Sequence, residues 1–284
     1  MTRVAIVTDS AADITPEAAD SARITVVPLI VSFGGESFRA GVDVSTDAFW
    51  VRMTAPDAPF PTTAASSPGA FHDAFQSCFE AGADAIVCVD VAETLSGTIK
   101  SARVAAGLLE GREIHVVDSR SASMGTGLLA LMGAELAGAG KGAAGIAATL
   151  EDRRSDIDLF VALDTLAYLR KGGRISGPQA AIGTLLSVKP IITVREGLVE
   201  TAERPRTRAK ARERVIELLS AKPAERLAVL YTPPADAASF RDELVARMPG
   251  CIDPARVSMQ PVGPSVGPHL GPGCLGAVVL LARS

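Results

Sequence analysis

Three short apolar runs, at positions 4–8, 85–91 and 113–117, each carry an aspartate at or just past their carboxyl end. A polar loop and a helical stretch follow at short intervals. The runs are continuous rather than alternating, as strands buried on both faces require. Strand, loop and helix in repetition predict βαβ units on a parallel sheet. In such sheets ligands collect beyond the carboxyl ends of the strands. Asp9-Ser10, residues 93–98 and residues 118–123 all fall there.

Between the first two runs lies a further apolar run, 24–31, turned by Gly34-Gly35. A short helix carrying Phe49 and Trp50 follows, capped by Ser45 or Thr46. Two helical stretches, 123–139 and 142–154, close the first half. Their join, Gly140-Lys141-Gly142-Ala143-Ala144-Gly145, is formally G-x-G-x-x-G. It follows a helix rather than a strand, and Lys141 precedes glycine, so it reads as a helix–helix turn and not a nucleotide loop.

The second half mixes signals. A strand over 159–163 leads to a helix with Asp164 as its cap and Gly172-Gly173 as its stop. Runs at 188–194 and 198–202 flank Glu196-Gly197 and predict an antiparallel hairpin. A basic helix (206–220), a strand (227–231), a helix (235–247) and a last strand (276–281) complete the chain. The expected fold is α/β with two different α/β domains. Residues 1–155 carry a mainly parallel sheet and residues 156–284 a mixed one.

Net charge is −4 and aromatic residues are 4% of the chain, which excludes a nucleic-acid footprint and base-stacking platforms. Hydrophobic residues make up 48%, yet no run approaches the roughly 18 apolar residues that span a bilayer, so no transmembrane segment is expected. The chain enters a strand at once, with no charged-then-apolar leader, so a cytoplasmic location is expected. Cys78, Cys88, Cys251 and Cys274 are scattered, and so are His72, His115 and His269, so neither a metal nor a cofactor is expected.

Two stretches carry recognition chemistry. In Pro61-Thr62-Thr63-Ala64-Ala65-Ser66-Ser67-Pro68-Gly69 four hydroxyls are bracketed by prolines, and Ser67 and Pro68 fit the cap and first position of a helix. Hydroxyls at a positive helix end suit a small anionic or polar head group. A stiff, well-capped loop without a ligand explains the same residues. Near the other end, three Gly-Pro steps recur every four residues between Gly263 and Pro272 and present His269. An anion partner, an acid/base group and a surface histidine all fit there.

The order of motifs resembles the DegV family along nearly the whole chain. The pieces are Val7-Thr8-Asp9-Ser10-Ala11-Ala12-Asp13, Pro61-Thr62-Thr63 with Ser67-Pro68-Gly69, Leu95-Ser96-Gly97-Thr98 and Val117-Asp118-Ser119-Arg120-Ser121-Ala122-Ser123. Asp164-Thr165-Leu166-Ala167-Tyr168-Leu169-Arg170-Lys171-Gly172-Gly173-Arg174-Ile175-Ser176, Lys189-Pro190-Ile191 and His269-Leu270-Gly271-Pro272-Gly273 complete the set. The resemblance implies a fatty acid held between the two domains by a protein that is not a catalyst. It further implies presentation of the acyl carboxylate to a separate fatty-acid kinase. It carries head-group binding onto Thr63, Ser96 and His269, with Thr62 and Gly97 beside them, and onto Arg206 after the hairpin. The family pattern Thr-Ser-Gln-Pro-Ser is here Thr63-Ala64-Ala65-Ser66-Ser67. Ala92 and Glu93 also stand where serines are frequent.

Elementary energetics agree with a fatty acid. Each buried methylene is worth roughly 0.8 kcal/mol, so a sixteen-carbon tail grosses about 12 kcal/mol before ordering costs. The carboxylate needs hydrogen bonds and a counter-charge, which Thr63, Ser96 and a protonated His269 or Arg206 would supply. Ala65, Phe71, Phe75 and Ile99 are candidate tail contacts. The alternative is a hydrolase or phosphoryl-transfer enzyme using the strand-end aspartates Asp9, Asp90, Asp118 and Asp164, although caps and helix starts explain these too. Tyr168 to Lys171 with Arg174 form a basic, partly apolar patch suited to an acidic partner, or a solvated helix end.

Overall fold

The structure is a computed structural model, and it describes residues 2–175 and 188–283. Ser176, the last residue of the longest motif, lies outside them. The three runs become β1 (Val4–Asp9), β6 (Ala85–Asp90) and β7 (Glu113–Asp118), which with β2 (Ile24–Val27) form an all-parallel sheet in the order β2-β1-β6-β7. α3 (Pro68–Glu80) and α4 (Thr98–Leu108) cover one face, where Phe71, Phe75 and Ala102 meet Val7, Ile86 and Cys88. α5 (Met124–Gly138) and α6 (Ala143–Arg153) cover the other.

The second sheet is mixed. Its order is β10-β9-β8-β13-β11-β12, built from β8 (Ile157–Ala162), β9 (Ile191–Arg195), β10 (Leu198–Glu203), β11 (Ala224–Tyr231), β12 (Val257–Pro261) and β13 (Leu275–Leu281). Only β11 and β12 run parallel; the other neighbours are antiparallel. Side chains alternate as a pleat demands. Leu159 and Val161 face α5 and the parallel sheet, whereas Phe160 faces α8 (Arg208–Leu219) and α9 (Ala237–Arg247).

The layers are therefore α3/α4, parallel sheet, α5/α6, mixed sheet, α8/α9. α5 lies between two sheets, and its sequence is apolar nearly all round, as such a position requires. Gly127 lets its first turn approach the loop after β1; a Cβ there would stand 2.6 Å from the carbonyl oxygen of Ala12.

Two sequence expectations are corrected. The run 24–31 is two strands in different sheets. Pro28 offers no N–H to a ladder, so the chain breaks there. β3 (Ile30–Phe33) instead joins β4 (Glu36–Arg39) and β5 (Thr62–Ala64) in a small antiparallel sheet over Phe49 and Trp50. Asp164 does not cap the next helix, α7 (Ala167–Lys171), whose first flanking residue is Leu166; Asp164 pairs instead with Lys189 at 3.0 Å and with Arg208. Of the two caps expected for α2 (Thr46–Met53), Ser45 is the one used. The Gly140 join is the expected helix–helix turn, with φ +82° at Gly140.

Candidate functional site

The site begins at the carboxyl ends of β1, β6 and β7, where Ala11, Val91, Leu95, Ser96, Ala122 and Ser123 bound a cavity. Leu159, Val161, Ile192, Val194, Val199 and Leu230 of the mixed sheet form the facing wall. The cavity proper holds about 80 Å³, and about 760 Å³ when the space at its open mouth is counted. Its walls are almost wholly aliphatic; the polar side chains among them are Thr63, Ser96, Ser123, Arg174, Ser265 and His269, and Thr63 and His269 meet at one end.

Thr63 reaches that end because β5 pairs with β3, setting Thr63 opposite Val31. His269 arrives from α10 (Gly267–Leu270). Its Nε2 lies 3.0 Å from Thr63 Oγ1, although 206 residues separate the two. Several close approaches fix that imidazole. Trp50 Nε1 donates to the Val262 carbonyl at 2.8 Å. A Cβ on Gly267 would stand 2.6 Å from the Phe49 ring, one on Gly271 2.3 Å from the Tyr168 ring, and one on Gly172 2.2 Å from His269 Nδ1. The Gly-Pro loop thus has its glycines where rings press on the backbone. His269 Nδ1 is buried without a hydrogen-bond partner.

Ser96 Oγ is 2.7 Å from Thr98 Oγ1 and accepts from Thr98 N at 3.3 Å, which holds it at the start of α4. Arg174 enters the cavity because Gly173, at φ +68°, turns the chain inward after α7. Its Nε donates to the Leu95 carbonyl at 3.2 Å and its Nη1 to the Gly172 carbonyl at 2.6 Å. Burial, then the Arg174 charge, depress His269 to about 4 from its ordinary 6.5. The imidazole is neutral near pH 7, and this corrects the expectation of a protonated His269 as counter-charge.

Thr63, Ser96 and His269 therefore line the same cavity, with Thr63 and His269 in direct contact. Thr62 points outward from β5 and is exposed, because neighbouring strand residues face opposite ways. Gly97 flanks α4 at the exposed rim, outside the cavity lining, where its Cα faces Ala65. Arg206 is exposed and is not a lining residue, which removes the basis for a head-group role. Arg174 is the cation the sequence reading put on a surface patch instead; the Gly172-Gly173 turn before it was the available signal. Of the expected tail contacts Ala65 lines the cavity, while Phe71 and Phe75 pack under the parallel sheet and Ile99 is buried in α4. Ser66 turns inward to donate to the Pro28 carbonyl at 2.8 Å, and Ser67 caps α3 through the Ala70 N–H. Neither lines the cavity.

The hairpin of β9 and β10 closes the far side. Its tip, Glu196 at φ +48° and Gly197 at φ +77°, docks onto the parallel-sheet loops. Gly197 N donates to the Arg120 carbonyl at 3.0 Å, and Thr94 Oγ1 donates to the Gly197 carbonyl.

The structure thus defines a class: an α/β protein with two unlike sheets and, between them, an apolar cavity whose polar lining is hydroxyls, an imidazole and a guanidinium. A family model described as "Uncharacterised protein, DegV family" matches residues 3–282, and the chain belongs to the DegV family. A DegV domain-containing protein of Listeria innocua is 32% identical over 279 residues, covering 96% of this chain and 97% of the relative. Among solved structures, the chain is similar to a fatty-acid-binding DegV family protein from Thermus thermophilus, with TM-score 0.89, 33% identity and coverage of 99% and 100%. It is similar also to DegV, a fatty acid binding protein from Bacillus subtilis, with TM-score 0.88, 30% identity and the same coverage. No helix among the described residues is long and apolar enough to cross a membrane.

Proposed function

We propose that this protein binds a long-chain fatty acid, its tail in the cavity between the sheets and its carboxylate among Thr63, Ser96, His269 and Arg174. The observation that carries the reading is the make-up of the cavity: aliphatic walls from both sheets, with Thr63 in contact with a neutral imidazole, Ser96, and Arg174 as the one cation among the described lining residues. A monoanion suits that set, whereas a phosphate would attract several cations. The fatty-acid-binding relatives from Thermus and Bacillus support the ligand class. The division of the chain into domains near residue 155, with the ligand between them, belongs to this proposal, as does a cytoplasmic site of action.

The protein acts in this reading as a carrier, presenting the carboxylate to a separate fatty-acid kinase rather than turning it over. The strand-end aspartates have structural employment. Asp118 Oδ1 accepts from Arg120 N at 2.8 Å, Asp164 is ion-paired, and Asp9 and Asp90 are buried. Mass spectrometry of lipids extracted from purified protein tests the proposal. A stoichiometric long-chain acid is expected; protein that neither carries nor takes up such an acid would refute it.

A further inference from the structure

Behind the cavity, β1 and β6 end in a pair of carboxyls, and among the described residues no cation pairs with either. The strands run parallel with Thr8 opposite Val89, so Asp9 and Asp90 are the next residues in register and stand side by side. Both are 0% exposed. Asp9 Oδ1 accepts from Ala11 N at 2.7 Å and its Oδ2 from Val91 N at 2.8 Å. With an N–H aimed at each oxygen, Asp9 is built to be the anion. Asp90 differs: Oδ2 accepts from the Cys88 thiol at 3.2 Å, and Oδ1 is buried with no group donating to it. A buried carboxyl oxygen with no donor, next to a carboxylate, is where a hydroxyl hydrogen belongs.

We propose that Asp90 is kept protonated in the folded protein and donates from Oδ1 to the Asp9 carboxylate, so that one buried proton positions the two loops that wall the cavity. The loops are tied directly, since Ala11 and Val91, held by the two Asp9 oxygens, both line the cavity. Asp9 and Asp90 are therefore positioning residues. Two carboxyls this close in a dry site do not both ionise. Burial and then the Asp9 charge push Asp90 well above the usual carboxylate range. Burial lifts Asp9 only to about 6, because the Val91 and Ala11 N–H groups and the Asp90 hydrogen favour its charged form. The other titratable groups that bear on the pair are Cys88 from β6, Asp118 from β7 and Asp13 from the turn after β1, all of which add negative charge when ionised.

The ligand arm of the test rests on the fatty-acid reading; two other arms do not. In ligand-free protein with carbon-13 aspartate, a protonated side-chain carboxyl besides that of Asp13 is expected at pH 7, and that signal should vanish in Asp90→Asn. In urea unfolding, the ratio of the wild-type to the Asp90→Asn unfolding constant should rise about tenfold per pH unit above pH 4, until the pair deprotonates. For palmitate, Asp90→Asn keeps the donor and should bind within about threefold of wild type, without the wild type's weakening at alkaline pH. Asp90→Ala should bind at least tenfold more weakly. Asp9→Asn offers one acceptor to two N–H groups and should be the more damaging of the two amides. The proposal is overturned if every aspartate carboxyl other than Asp13 is ionised at pH 7, if Asp90→Asn does no better than Asp90→Ala, or if Asp9→Asn is tolerated as well as Asp90→Asn. Should wild type take up no palmitate at any pH, the fatty-acid reading fails, and the carboxyl spectrum and unfolding series still decide the shared proton.

Discussion

Among the described residues Arg174 is the one cation lining the cavity. Arg174 is bound through Nε and Nη1 to main-chain carbonyls, which fixes its plane before a ligand arrives. Little rotamer freedom is then lost on binding. Replacing Arg174 with Gln should weaken binding of a long-chain acid by about 2 kcal/mol, roughly thirtyfold in Kd, since the carboxylate would be buried without a counter-charge. Arg206→Gln, on the exposed segment, should leave Kd unchanged. Titration calorimetry of both variants checks the pair.

The His269 ring gives a pH signature with a definite sign. Its value in the folded protein, about 4, lies below the ordinary 6.5, so folding favours the neutral ring. The associated stability is complete above pH 6.5 and is lost as the pH falls toward 4, amounting to about 3 kcal/mol. Denaturant unfolding between those limits should show His269→Asn losing that much less than wild type. The pH gained by Asp13 runs the other way. Burial lifts it to about 7, so its protonated form is favoured and its contribution falls as the pH rises from 3.8.

Among the elements, the β9–β10 hairpin and α3 make a useful contrast. Both have a residue the backbone requires, but only the hairpin touches the cavity. Gly197 needs φ +77°, and a Cβ there would come within 2.6 Å of Thr94 Oγ1. Gly197→Val should cost about 1–3 kcal/mol locally and lift the tip from residues 94 and 120. Hydrogen exchange across Ile191–Arg195 and Leu198–Glu203 should speed up, together with release of a bound acid in stopped-flow. Ser67→Ala removes the α3 cap and should cost about 1 kcal/mol of stability with Kd unchanged.

The same elements show what could be read from the chain. The parallel strands were legible because a doubly buried strand is a continuous apolar run. The hairpin was legible because Glu196-Gly197 is a turn pair. The small β3–β5 sheet was not, since Glu36-Ser37-Phe38-Arg39 and Thr62-Thr63-Ala64 are too polar and short to carry a strand pattern. β12 (Val-Ser-Met-Gln-Pro) was missed for the same reason, as an edge strand with a weak alternation. Thr63, Ser96 and His269 came from the family resemblance, and chemistry alone left each with a bland explanation. Arg174 escaped because burial of an arginine depends on how a glycine turn is directed in space, which residue type does not encode.

For the whole molecule, the ordering of strands decides when a working cavity exists. β13 is the last strand in the chain and sits in the middle of its sheet, between β8 and β11. β8 pairs with a partner more than a hundred residues away, and Thr63 meets His269 across 206. Such long-range pairings fold slowly, since loop-closure entropy must be met before the contacts form. In refolding from urea, recovery of acid binding should trail the far-ultraviolet signal of the helices and coincide with burial of Trp50, which donates to Val262 beside the His269 loop.

There is a consequence for the protein as it is made. Until β13 has been made, β8 lacks its hydrogen-bonding neighbour on one edge, although Leu159 and Val161 can already pack on α5 and the parallel sheet. An unpaired sheet edge is thus on display until that strand emerges. Ligand cannot shield it, because the imidazole that completes the head emerges only with the closing strand.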